Sequence, residues 1–461
     1  MSFPPFNAAG WSGPMGPGGV VSRPRARVSW VVLVGTLVSA LASPAPVRAQ
    51  SEADRIVDLE RKLNRALQVI EELSGRIQQL EITGGGRQPA SPSGSGTPSA
   101  PVAQEPAPLQ APERGVAVSV PVEHHGALRI PGLGIPLRGF IDLGGGVTNA
   151  KGKPSGFGLG SLDFYLTPQF GDQARGLAEL VFEFDDKGEL TVDLERLQLG
   201  YTFRDELTAW LGRFHTPFGY WNTAYHHGRY LHTTATRPEF LEFEDKRGVL
   251  PVHTVGLWGT GGIALGNGRL TYDAFFGNSP TIDDEELNPL NIGRENLDLS
   301  AGIRIGYAFR GALEGLQVGG HWLRGDVRAE NDSFKTALMF GGGYLFYGNY
   351  DWEVLAESYW FHNQDRSGDT GSHESWAGYV QVGRSFGAWT PYGRFEVTDF
   401  DQTDNYFSQL RGGRSYRKGI VGIRYELTPR AALKLEFSHK TLTDQPRRDD
   451  NAVQFQYAVG F

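Results

Sequence analysis

The sequence predicts an all-β protein, a transmembrane antiparallel β-barrel of about 16 strands preceded by a short periplasmic α-helical coiled coil. Three observations carry this. Only 39% of the 461 residues are hydrophobic and 62 are glycine, whereas each membrane-crossing helix needs about 20 consecutive apolar residues. After Gly134, segments of roughly ten residues alternate apolar with small or polar side chains between turn residues, as expected of strands with lipid on one face and water on the other. Between Ser51 and Glu81 the apolar residues instead recur every three and four positions, the spacing of a heptad helix.

The N-terminal residues read as an export signal. Arg23, Arg25 and Arg27 supply a basic region, Val28 to Ala42 an interrupted apolar run, and Val47-Arg48-Ala49 a site for cleavage before Gln50. A single membrane anchor is the alternative, disfavoured because the run is short and ends in Pro-Ala-Pro. Translation from Met15 is compatible with the same reading. Without its first 49 residues the chain loses four arginines and no acids, so its formal charge moves from -8 to -12. That balance gives no reason to expect nucleic acid as a partner. With no cysteine in the chain, stability has to come from packing or from a closed hydrogen-bonded sheet.

Within 50–81, Ile56, Leu59, Leu63, Ala66, Ile70, Leu73, Ile77 and Leu80 form the heptad stripe. Ile and Leu in these places lean towards two strands. Two short patterns lean towards three: Arg55-Ile56 with Leu59-Glu60, and Arg76-Ile77 with Leu80-Glu81. Each sets an Arg over the core where it can meet a Glu of the next helix. A homotrimer is therefore expected, with a solvated spacer helix as the alternative. Residues 82–134 are rich in Gly, Pro, Ser and Ala and read as a flexible linker. The barrel then occupies 135–461.

Sixteen candidate strands run from 137–147 to 451–461, an even number, with long connections following the odd-numbered strands. In the last strand Val453, Phe455, Tyr457, Val459 and Phe461 share one face. The terminal Phe461 resembles the assembly signal read by the outer-membrane barrel insertion machinery. Alternation elsewhere sends Ile303 and Ile305, Val421 and Ile423, and Leu433 and Leu435 towards lipid. It leaves Arg304, Arg424, Glu426, Lys434 and Glu436 to line a water-filled lumen, since charges facing lipid are costly. Trp210, Trp352, Trp360 and Trp389 fit interfacial aromatic girdles.

The connection from His215 to His253 is the least barrel-like stretch and the expected pore constriction. It carries His215, His226, His227, Arg229, His232, Arg237, Lys246 and Arg247 among the acids Glu239, Glu242, Glu244 and Asp245. His226, His227 and His232 could ligate a metal, but adjacent histidines without a fixed scaffold favour structural hydrogen bonding. Neither a metal nor a cofactor is expected.

Gly212-Arg213-Phe214 followed by Thr216-Pro217-Phe218-Gly219 resembles the strand-to-loop segment of phosphate-selective (O/P type) porins. With the coiled coil, the chain is also similar to DcaP-like porins, which carry a periplasmic helical stalk before a trimeric barrel. The resemblance implies a bacterial outer-membrane porin embedded in outer-membrane lipid and passing small polar or anionic solutes by diffusion. A structural envelope protein is the alternative. A barrel hydrolase is the remoter one, since no G-x-S-x-G occurs and no serine adjoins His226-His227.

Overall fold

The computed structural model describes residues 128–129, 136–150, 155–184, 188–225, 228–244, 247–290, 298–368, 370–444 and 448–461. The expected signal peptide and the coiled-coil residues Arg55, Ile56, Leu59, Glu60, Arg76, Ile77, Leu80 and Glu81 lie outside the described residues, as do His226, His227 and Lys246.

Sixteen long strands follow one another along the chain: β1 Pro136–Thr148, β2 Gly156–Leu166, β3 Ala174–Phe184, β4 Leu190–Arg204, β5 Leu207–His215, β6 His253–Leu265, β7 Gly268–Asn278 and β8 Leu299–Phe309. The second half comprises β9 Leu316–Ala329, β10 Lys335–Gly348, β11 Trp352–Asp365, β12 Ser372–Arg384, β13 Trp389–Asp399, β14 Tyr416–Thr428, β15 Ala431–Leu442 and β16 Arg448–Gly460. Each pairs antiparallel with the next, and β16 pairs with β1, Gly460 opposite Phe140 through Ala452 opposite Thr148. The sheet is a closed barrel and these strands leave no edge. Phe461 continues the last ladder, because it and Gly139 exchange backbone hydrogen bonds of 3.0 and 3.1 Å.

Period-two patterning explains the two faces. On β15, Leu433, Leu435 and Phe437 are exposed on the outside while Lys434 and Glu436 are buried inside. On β14, Val421 and Leu427 face out and Arg424 faces in. Tight connections sit at one end of the barrel. In the Gly266-Asn267 turn, Gly266 has φ +56, a backbone conformation that glycine adopts without steric cost.

Trp322, Gly341, Trp360 and Trp376 lie opposite one another across β9 to β12, a row of exposed indoles. Trp352 and Trp389 start β11 and β13 at the short-turn end, with Trp389 packed 4.3 Å from Tyr425. From Trp352 to Trp360 the strand runs roughly 26 Å at about 3.3 Å per residue, which at a barrel-strand tilt of about 40° is a rise of about 20 Å, within the height of an apolar band bounded by aromatic girdles. Trp210 departs from the expectation. It stacks on Trp258 inside the barrel, ring centroids 6.1 Å apart, because Gly200 opposite leaves room there. A Cβ on Gly200 would lie 2.5 Å from the Trp210 ring.

Candidate functional site: a loop docked inside the barrel

The described residues of 216–252, between β5 and β6, turn inward and are mostly buried. The segment brings its own apolar side chains. Phe218, Trp221, Phe240, Leu241, Val249 and Leu250 pack with Phe214, Phe340, Tyr359 and Phe361 of the wall in one cluster. One side of the lumen is thus a hydrophobic core, where the sequence suggested only water. The cause is local, since Pro217 to Trp221 and Leu250 to Val252 are too apolar to remain in a solvated loop.

Charged wall residues hold the backbone of this loop. The Glu357 carboxylate on β11 accepts from the Tyr220 and Trp221 amides (3.0 and 2.7 Å) and from the Tyr359 and Tyr379 hydroxyls (2.6 and 2.7 Å). It thereby satisfies amides at the start of the short helix α1, Trp221–Ala224, which have no partner within the helix. Arg304 donates to the Gly219 carbonyl at 2.9 Å, to Asp273 at 3.1 Å and to the Tyr344 hydroxyl at 3.0 Å. Arg394 donates to the carbonyls of Thr236 (2.7 Å) and Arg237 (3.0 Å), with Glu396 at 2.8 Å on its other edge.

Further round, Arg424 donates to the carbonyls of Tyr230 and His232 and pairs with Glu426 at 2.7 Å. Lys434 donates to the carbonyls of Arg229 and Thr234. Glu436 accepts from the Ala235 amide and the Thr236 hydroxyl. The expected lumen-wall charges Arg304, Arg424, Glu426, Lys434 and Glu436 all face inward, and Arg304, Arg424, Lys434 and Glu436 bond directly to described residues of the loop.

From above, the Tyr406 hydroxyl donates to the Val249 carbonyl at 2.7 Å. Tyr406 lies on helix α2, Asn405–Gln409, in the connection after β13. At the loop's exit, His253 is held between Glu195 of β4 (2.8 Å) and Glu244 of the loop (2.9 Å). His215 lies 3.8 Å from Glu179, its ring 5.5 Å from that of His253.

The loop's described basic residues, Arg229, Arg237 and Arg247, lie apart from one another. Arg229 is 39% exposed and its guanidinium lies 3.7 Å from Asp142 of β1; the Asp142 charge raises its pKa. Arg237 is buried with its guanidinium 4.1 Å over the Phe243 ring, and burial pulls its pKa down to about 10, so it stays charged near neutrality. Arg247 sits apart, where its carbonyl meets Gly412 of an outer connection. Burial pushes Glu239 up, but Lys418 and Lys440 outweigh it and hold the carboxyl at about 2. His232 is enclosed by Trp221 and Tyr225, with Nε2 2.8 Å from the Tyr225 carbonyl. Burial, then Lys434, holds its pKa well below the ordinary value. Among the described residues there is no cluster of three or more His, Asp or Glu suited to a metal ion.

Glu357 and Arg394 were not singled out from the sequence. Glu357 and Trp221 are 136 positions apart, so no local pattern could join them.

No protein-family model matches the chain, and no curated protein matches it. Solved structures do. An anion-selective porin from Comamonas acidovorans is 14% identical, with a TM-score of 0.50 over 71% of this chain and 99% of that one. The outer membrane channel DcaP of Acinetobacter baumannii is 13% identical, with a TM-score of 0.47 over 73% of this chain and 100% of that one. OmpT, an outer membrane protein of Vibrio cholerae, is 10% identical, with a TM-score of 0.46 over 73% of this chain and 100% of that one. Together with the closed sixteen-stranded sheet and its exposed aromatic rows, the first of these likenesses gives the chain the fold of an outer-membrane porin.

Proposed function

We propose that the protein is a passive diffusion channel for small polar or anionic solutes, with the 215–253 connection as its constriction. It would work as a homotrimer joined through residues 50–81 in the periplasm. One observation carries the channel reading. The loop is fastened to the wall from β8 to β15, while on the β1 side its Arg229, 39% exposed, lies 3.7 Å from Asp142, and the solute path is assigned to a gap beside that pair. Behind this pair lie the buried Asp163 on the wall and the buried Arg237 on the loop. A solute beside Arg229 and Asp142 would feel basic charge from the loop and acidic charge from the wall. Such a transverse field selects by orientation as well as by net charge, and it acts at short range because salt screens distant charge over about 8 Å.

The test is reversal potential in a salt gradient across a planar bilayer. The parent should show a modest anion preference. Arg229→Gln should shift it towards cations and Asp142→Asn should shift it the other way. Identical potentials in all three proteins would remove the loop from the solute path, and a purified protein that leaves the bilayer silent would overturn the channel reading.

A further inference from the structure

On the wall where the loop docks, charged side chains are committed to loop backbone or to one another. The opposite wall differs in one place. Arg138 of β1 and Tyr165 of β2 lie directly opposite each other. Both face inward, as the neighbouring Phe140 and Asp142 do when they meet Gly228 and Arg229 of the loop. Arg138 is exposed and Tyr165 partly so. Neither makes a hydrogen bond or ion pair with another described residue, whereas Arg196 on the same row is taken by Glu179 and Arg175 donates to Thr202 at 2.7 Å. Beside Tyr165 stands the Phe140 ring, 6.0 Å away and tilted by 34°. Two aromatic faces thus adjoin one free guanidinium, on the short-turn side of the Arg229–Asp142 contact.

We propose that Arg138, Tyr165 and Phe140 form a binding site for small aromatic carboxylates inside the channel. The Arg138 fork matches a carboxylate with two parallel N–H donors. The Tyr165 hydroxyl adds a third donor, and the Tyr165 and Phe140 rings give an aromatic body an offset-stacked or edge-on surface. Acetate offers only the charge and benzyl alcohol only the ring, so neither uses the whole site. The proposal rests on the channel reading and refines it to a solute class.

Full-length protein in a planar bilayer tests it by current block, with benzoate, acetate or benzyl alcohol added from the short-turn side. Benzoate should block at a concentration roughly tenfold below that of acetate, the factor expected of one additional favourable contact set, and benzyl alcohol should not block. Arg138→Gln should abolish the difference between benzoate and acetate, and Tyr165→Leu should reduce it, while open-channel conductance in plain potassium chloride persists in both. Equal block by benzoate and acetate in the parent, or undiminished benzoate block in Arg138→Gln, would overturn the site and leave the channel reading standing. Absence of conductance in plain salt would instead strike the channel reading itself.

Discussion

Gly139 and Phe461 face each other across the seam of the barrel, and the side chain of one occupies the space the other lacks. A Cβ on Gly139 would lie 2.6 Å from the Phe461 ring and 2.3 Å from the Asp163 carbonyl oxygen. The Phe461 ring also stands edge-on to Phe164, centroids 5.9 Å apart. Deleting Phe461 should therefore lower the yield of folded barrel without lowering synthesis, and Gly139→Val should do the same with the terminal residue intact. Both are read from the fraction migrating fast on a gel before boiling. Parental yields for both would show that neither the seam contact nor the terminal signal matters to assembly.

Glu357 should control the docking of the loop. With four donors converging on it, Glu357→Gln places an amide N–H₂ against groups that can only offer hydrogens in this geometry. The cost of leaving such groups unsatisfied is about 1–3 kcal/mol each. The expected result is a noisier channel and faster proteolysis within 216–252, with the barrel still resistant to detergent. A quiet channel of parental conductance would contradict the role given to this carboxylate.

Trp221 is fully buried in the lumen cluster, so Trp221→Ala should remove about 3–5 kcal/mol. The loss should appear in denaturant unfolding as a lower midpoint. A surface control, Trp360→Ala, removes an exposed girdle residue and should lower it less.

The histidines divide by environment. His232 is kept neutral by burial, and a base with a depressed pKa binds more protons unfolded than folded. It therefore favours folding above its unfolded pKa of about 6.5 and opposes it as pH falls below that value. His232→Gln should flatten the acid limb of stability without changing how conductance varies between pH 5 and 8. Glu239 acts with the same sign at lower pH, since its depressed pKa contributes stability above about pH 4.5 that is lost as pH falls towards 2. Glu239→Gln should remove that contribution and leave Lys418 and Lys440 without their shared partner carboxylate. A conductance titration that vanishes in His232→Gln would refute the neutral assignment.

The barrel was legible because each strand repeats the same two-sided problem, and a period of two survives even where single segments are weak. Arg424, Lys434 and Glu436 were placed inside on that ground alone. The loop was legible as a length and a composition, not as a structure. What fixes it is pairing between residues far apart in the chain, Glu357 with Trp221, Arg394 with Thr236, Glu436 with Ala235, and no periodicity encodes such pairings. Trp210 was misplaced because its inward turn depends on Gly200, a neighbour across the sheet and not along the strand.

The strands that hold the loop also carry the exposed tryptophans. Trp322, Trp352, Trp360, Trp376 and Trp389 lie on β9 to β13, while Trp210 and Trp258 of β5 and β6 turn inward. One half of the cylinder is accordingly braced twice, by a packed interior and by anchors at the water boundary. β1 to β4 add no described side chain to that apolar cluster and rely more on their ladder hydrogen bonds. Thermal breathing should therefore be uneven, with backbone amides of β1 to β4 exchanging with solvent sooner than those of β10 to β13. The yielding half is the one beside the gap, so passing molecules would meet a wall that gives on one side and resists on the other.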